Sequence, residues 1–278
     1  MAIQFKEEGH VYESIGDEKI DWLSVTSFIS MFKPKFDGKA QAKKSSKNKR
    51  SKWYGMTPKD IITAWDNESQ RAIKLGNFYH NQREKDLLDF KTIEREGCEV
   101  PIIKPLFDEE AGIKIAPEQK LSEGLYPEHM VYLKSAGICG QSDLVEIVNG
   151  KVNIIDYKTN KEIKKESYVN WEGISDKMNT PISNLDDCNF NHYALQLSIY
   201  MYIILKHNPK LRPGKIFLHH ISFEKEGENK WGYPISKKDI NGDPIVKDVN
   251  VIPIPYLIDE VLSIFHYLND NKNKIKKK

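Results

Sequence analysis

Ser142 to Lys158 reads SDLVEIVNGKVNIIDYK: two apolar runs joined by Asn149-Gly150. Asn-Gly between alternating hydrophobics is the strongest short-range signal for a two-residue hairpin, because both turn positions need positive φ. In that hairpin Val148 faces Lys151, Ile147 faces Val152, and Val145 faces Ile154. The same count sets Asp143 directly opposite Asp156. Side chains two apart share a face of a strand, so Lys158 joins the two aspartates. Leu144, Val148, Ile155 and Tyr157 fall on the other face.

Strands avoid aspartate. Carboxylates on opposed positions lie roughly 4.5–5.5 Å apart at Cβ, and like charges so placed destabilise a sheet. Lys158 supplies one positive charge against two negative ones. A divalent cation held between both carboxylates compensates better, and oxygen ligands suit a hard ion such as Mg²⁺. A lone Asp-x-Lys reads as a salt bridge at a strand end. The independent turn signal, which brings in Asp143, favours a metal site.

The surrounding chain reads as helices around a strand cluster, hence an α/β or α+β class. Thr57-Pro58 opens a helix, with a capping hydroxyl and Pro in the first turn. Ile61, Ile62, Trp65, Ala72 and Leu75 recur at helical spacing, and the pattern continues past Gly76 through His80, Glu84, Leu87 and Leu88. Residues 4–12 and 19–24 read as short strands around a Gly16-Asp17 turn, followed by an apolar segment, SFISMF. Residues 112–147 read as strands with turns, and residues 215–223 as another. Residues 184–191 read as a loop, 192–207 as a helix, and 258–269 as a last amphipathic helix. His219 and His220 point to opposite faces of their strand and read as structural.

The chain has 278 residues, 39% of them hydrophobic and 29% charged, enough for a sizeable core. No apolar run reaches the ~18–20 residues of a membrane span. The N-terminal residues lack the apolar centre of a signal peptide, so a cytoplasm-like compartment is expected, with no membrane partner. Cys98, Cys139 and Cys188 are scattered and odd in number, which argues against a disulfide framework or a structural zinc site. Net charge is only +2, but Lys33–Lys52 holds nine Lys or Arg against Asp37 alone, and Asn269–Lys278 holds five Lys against Asp270. The remainder is therefore acidic, at −10. Basic segments on an acidic body suit a polyanion, through counterion release. They also suit plain solvated stretches. Lys43, Lys44, Lys47, Lys49, Arg50 and Lys52 are the candidate backbone contacts. Trp53 and Tyr54 could stack on unpaired bases or serve as core.

Gly140-Gln141-Ser142-Asp143 followed by Asp156-Tyr157-Lys158-Thr159 resembles the PD-(D/E)XK nuclease signature, and more narrowly that of RecB-like exonucleases. Gly76-Asn77-Phe78-Tyr79-His80 is similar to the family's upstream G-x-x-x-H helix, and Gln196-Leu197-Ser198-Ile199-Tyr200 to its downstream Q-L-x-x-Y helix. Four motifs in the family's order, over roughly residues 57–223, make the resemblance specific. It implies a restriction-endonuclease-like core with a central mixed β-sheet flanked by helices. An extension (1–56) would precede this core (57–223), and a C-terminal strand, helix and basic tail (224–278) would follow.

The resemblance further implies catalytic roles for Asp143, Asp156, Lys158, Gln196 and Tyr200. It implies Mg²⁺ or Mn²⁺ held by His80, Asp143, Asp156 and the backbone carbonyl of Tyr157. Glu118 resembles a further acidic ligand of some members, a role for which Glu123 and Glu128 compete. Glu84 reads either as an acceptor that orients His80 or as solvated. Gln196 and Tyr200 share a helix face at i, i+4, where Tyr200 reads equally as core and Gln196 as surface. Three cysteines cannot supply the four of an iron–sulfur cluster, so none is expected.

The implied activity is hydrolysis of DNA phosphodiester bonds, acting on ends or single strands. The alternatives are an endonuclease and a non-catalytic DNA-binding protein. Replication or recombination proteins are the implied partners, in a host bacterium's cytoplasm if the chain is phage-encoded.

Overall fold

The computed structural model describes residues 2–6, 11–15, 20–108, 113–116, 119–170 and 172–275. Its centre is a six-stranded mixed sheet. The strands are β3 (Leu23–Ser24), β8 (Gly124–Leu133), β9 (Ile138–Val148), β10 (Lys151–Lys158), β11 (Arg212–Phe223) and β14 (Val246–Ile254). A smaller four-stranded sheet is made of β1 (Ala2–Lys6), β2 (Val11–Ile15), β6 (Leu106–Asp108) and β7 (Ile113–Ile115). Two separate hairpins pair β4 (Thr92–Arg95) with β5 (Cys98–Pro101), and β12 (Lys225–Glu228) with β13 (Pro234–Ser236). The helices are α1 (Val25–Ser30), α2 (Gly38–Lys47), α3 (Pro58–Leu88), α4 (Asn189–His207) and α5 (Ile258–Ile275).

The hairpin forms with the counted register. Val148 pairs with Lys151, Ile147 with Val152, Val145 with Ile154 and Leu144 with Ile155. Asn149 and Gly150 have φ of 53° and 68°, as a primed turn requires. Glu123 holds that turn, its carboxylate accepting from the N–H groups of Asn149 at 3.0 Å and Gly150 at 2.8 Å.

The two faces predicted by alternation bury against different partners. Val145, Ile147, Val152 and Ile154 pack with α1, α4 and α5 in the main core. Leu144 and Val148 pack with Val100, Ile102 and Leu125, close to Leu87 and Leu88 of α3. Tyr157 lies with Leu75 and Tyr79 of α3. Each fully buried aliphatic chain contributes about 1.5–3 kcal/mol, so a one-residue slip, which exchanges the faces, is strongly disfavoured.

β10 and β11 are parallel and joined through α4, while β11 and β14 are antiparallel. The sheet therefore continues past residue 223, and α5 adds Val261, Ile264 and Phe265 to the core over it. At the other end, β3 pairs with Ile138 and Cys139 of β9.

Several elements differ from the sequence reading. Residues 4–12 are not one strand: β1 pairs antiparallel with β2 up to Lys6 and Val11. The Gly16-Asp17 turn lies outside the described residues. SFISMF falls largely in α1, capped by the Ser24 hydroxyl, which accepts from Ser27 N–H. Within the basic stretch, α2 is capped by Asp37 and buries Ala42. The β4–β5 hairpin turns at Glu96-Gly97, with φ of 50° and 77°. Its four-residue strands carry too few apolar side chains to show alternation. The α3 helix runs unbroken through Gly76, and Thr57 caps it as expected. Among the described residues, no helix is long and apolar enough to cross a membrane. The three cysteines are free.

Candidate metal centre

β8 pairs with one edge of β9 along its length, so β10 and β3 share the other edge. The β10 ladder stops at Ile155–Leu144, and β3 begins only at Cys139. Residues 140–143 of β9 are thus left without a strand on that edge, and the candidate site is built there.

Asp143 and Asp156 occupy the positions the register assigns, one step beyond the last ladder pair. Instead of a backbone pair, the Asp143 Oδ2 accepts the Tyr157 N–H at 2.6 Å. The count along β8 places Glu128 opposite Asp143 from the other side, between the pairs Pro127–Leu144 and His129–Ser142. Glu128 has φ of 49°, an uncommon conformation for a side-chain-bearing residue, and it interrupts the ladder at that one point. Three carboxylates, Glu128, Asp143 and Asp156, therefore stand in register across three adjacent strands.

His80, on α3, reaches this row. Its Nδ1 is 3.3 Å from Asp143 Oδ1 and 4.0 Å from Glu128 Oε1, and its Nε2 is 3.0 Å from the Tyr157 carbonyl oxygen. Lys158 Nζ sits 2.5 Å from Asp156 Oδ2 and lies over the ring of Tyr193.

The electrostatics follow from crowding buried charges. Asp156 is 1% exposed, and burial together with the Asp143 charge pushes its carboxyl up to about 6. Burial and Asp143 likewise push Glu128 up to about 8. Burial also opposes ionisation of Asp143, but His80, Lys158 and the Tyr157 amide outweigh it and hold its carboxyl below the usual value. Burial opposes the charge on His80, yet Asp143 drives the imidazole up to about 9. Lys158 is held above its ordinary value by the two aspartates against the pull of burial.

A hard divalent cation fits these donors. One ligand atom from each of His80, Glu128 and Asp143 lies within 4.8 Å of the other two. Carboxylate oxygen and imidazole nitrogen, with no thiolate, suit Mg²⁺ or Mn²⁺. Asp156 Oδ2 is sealed from solvent and has no aligned hydrogen bond, although the Lys158 ammonium is close. Asp156 lies outside the group of three, and Asp143 links the two parts.

Of the three acids that competed for one role, the structure brings Glu128 to the site. Glu123 is engaged with the Asn149-Gly150 turn, and Glu118 lies outside the described residues. The turn of residues 134–137 between Leu133 and Ile138 sets the β8 register, and counting back from it would have selected Glu128. Gln141 steadies this side chain, donating from Nε2 to Glu128 Oε2 at 2.6 Å. Glu84 does not orient His80. It faces Lys114, whose Nζ is 3.5 Å from its carboxylate and 4.0 Å from Glu128.

Gln196 and Tyr200 meet as their spacing predicts, with Gln196 Nε2 donating to the Tyr200 hydroxyl at 3.1 Å. Tyr200 is 2% exposed and packs against Gly140. Burial holds its phenol well above the ordinary value, so it stays protonated. Lys43, Lys44, Lys47, Lys49, Arg50 and Lys52 are all exposed. Trp53 is buried and Tyr54 exposed. The His219 ring lies 5.8 Å from that of Tyr157, and His220 Nε2 lies 2.6 Å from the Asn160 carbonyl oxygen.

A model of the PD-(D/E)XK nuclease superfamily matches residues 50–275, including β14 and α5. No curated protein matches the chain, and no solved structure does. Matched over most of its length by that model, and carrying the family's signature at the unpaired stretch of β9, the chain belongs to the PD-(D/E)XK nuclease superfamily.

Proposed function

We propose that this metal-dependent nuclease is an exodeoxyribonuclease of the RecB-like, phage type, acting on DNA ends or single strands. The observation that carries the reading is the in-register row of Glu128, Asp143 and Asp156, with His80 at one end and Lys158 at the other. A binding protein gains nothing from three opposed carboxylates, two of them buried and Glu128 half-buried, which cost stability unless a cation offsets them.

His80, Glu128, Asp143 and Asp156, with the Tyr157 carbonyl, would hold one or two Mg²⁺ or Mn²⁺ ions. Bound there, the cation supplies Lewis acidity toward a phosphate oxygen and lowers the pKa of a bound water. Lys158 keeps its proton and sets a fixed positive charge where negative charge grows on the scissile phosphate. Asp156 anchors that ammonium. The Tyr157 amide fixes Asp143, and Gln141 fixes Glu128, so the acceptors are oriented before substrate arrives. Tyr200 and Gln196 support β9 and offer a neutral hydroxyl and amide beside it. The exposed Lys43, Lys44 and Lys47 of α2, with Lys49 and Arg50, hold the sugar-phosphate chain without reading bases.

The test uses end-labelled single-stranded, duplex and closed circular DNA with Mg²⁺ or Mn²⁺. Mononucleotides or short products should be released from free ends, with closed circles spared. Lys158→Met and Asp156→Asn should each lower the rate by about 10²–10³-fold. Rapid cutting of circles makes the chain an endonuclease. Cleavage that survives both substitutions removes the proposed site.

A further inference from the structure

We propose that a single DNA strand leaving this centre lies in a groove between α3 and the β12–β13 hairpin and ends on a tryptophan–lysine platform at the hairpin tip. This rests on the nuclease reading above and adds where the strand runs.

Two hollows mark the path. The first, of about 200 Å³, is bounded by α3, by the residues that follow Lys158, and by β11 to β14. Thr159 and Lys161 line it, and so does Leu75, five residues before His80 on α3. Its lining includes Arg71, Lys161, Lys225 and Lys247 and, among the described residues, no carboxylate. The second, of about 590 Å³, lies farther along α3, between that helix and the hairpin tip. Lys52, Trp53, Lys230 and Trp231 line it.

The same two elements wall both hollows. Asp60, Thr63, Arg71 and Leu75 fall on one face of α3 by their spacing. Thr63 to Leu75 spans about 18 Å of helix, or about five stacked nucleotides at ~3.4 Å each. The hairpin lends Lys225, Pro234 and Ser236 to the first hollow and Lys230, Trp231 and Gly232 to the second.

The chemistry selects single-stranded nucleic acid. Lys230 Nζ lies 4.4 Å from the Trp231 ring centroid, and Lys52 is held 4.4 Å from Trp53 and 4.3 Å from Tyr233. Lys52 also donates to the Trp231 carbonyl at 3.2 Å, which ties the tip to the start of α3. Aromatic faces flanked by ammonium groups combine base stacking with phosphate attraction, and only unpaired bases can use the first. Two acids of α3 along the path are engaged. Asp60 accepts from the Thr57 hydroxyl, and Glu68 makes a two-point pair with Arg71. Lys161, Lys225 and Lys247 line the first hollow and Lys52 and Lys230 the second.

The experiment measures fluorescence anisotropy of dye-labelled oligothymidylates of about two to twelve nucleotides with the full chain in EDTA, which prevents cleavage. Trp231→Ala should weaken binding of the longer oligomers by about tenfold, and Trp231→Phe, which keeps a ring, by no more than about threefold. An abasic oligomer of the same length should bind the native protein about as weakly as thymidylate binds Trp231→Ala. Lys225→Glu with Lys247→Glu should reduce the salt dependence by about two. Binding by Trp231→Ala within about twofold of native overturns the proposal. So does equal loss in Trp231→Phe and Trp231→Ala, or equal loss on blunt duplex. Cleavage assays separate the two readings. Trp231-dependent binding without cleavage under Mg²⁺ or Mn²⁺ removes the nuclease reading, while cleavage with Trp231-independent binding removes the groove alone.

Discussion

A Cβ on Gly140 would lie 2.7 Å from Tyr200 Cε1 and 2.9 Å from its hydroxyl oxygen. Glycine three positions before Asp143 is thus a packing requirement: α4 can press Tyr200 onto β9 only where no side chain intervenes. Gly140→Ala should destabilise the protein by about 1–3 kcal/mol, measured by urea denaturation. Adding Tyr200→Leu should recover part of that loss, because the two substitutions act on one contact. The spacing of Gly140 and Asp143 was legible in the sequence, but the partner that excludes a side chain was not, since Tyr200 is sixty residues away in the chain. Glu128 is similar. Its identity was visible among three acids, and only the β8 register set it against Asp143.

The β9–β10 hairpin was readable as an element because its turn and both faces agree. Asn149-Gly150 demands one register, and the apolar ladder accepts only that register. Gly150→Ala should cost about 1–2 kcal/mol, because φ of 68° is unfavourable for a residue with a Cβ. Glu123→Ala should cost about 1 kcal/mol, because two turn N–H groups lose a charged acceptor. Chemical denaturation of each variant checks both values. The counting argument stops at Ile155–Leu144. Beyond it the Asp143 carboxylate takes the place of a backbone partner, and the strands separate where His80 enters. The short strands β4 to β6 were not readable, since three or four residues give too little periodicity.

The whole molecule carries a charge conflict that a cation relieves. Glu128 is raised to about 8, so between its unfolded value near 4.5 and about 8 the folded state binds more protons than the unfolded one. His80 is raised to about 9 from 6.5 in the same sense. Stability from both groups is therefore full at low pH and is lost as pH rises through about 8 and 9. A cation held by these ligands must displace their protons, so its affinity rises across the same window. Differential scanning fluorimetry with saturating Mn²⁺ should show stabilisation of roughly 5–10 °C at ~100 times Kd. The gain should be larger near pH 8.5 than near pH 6, and Asp143→Asn should remove most of it. A stabilisation that does not depend on pH would argue against His80 and Glu128 as ligands.

Local chemistry in the sequence alone determined the β9–β10 register, the start of α3, the i, i+4 pairing of Gln196 with Tyr200, and the family signature. Each depends on a turn, a cap or a helical repeat within a few residues. Tertiary structure alone decided what Glu84 faces and that β14 closes the far side of the sheet. It also decided that Lys52, Trp53 and Trp231 come together. Those outcomes depend on pairings between segments distant in the chain, and no local pattern encodes the distance between them.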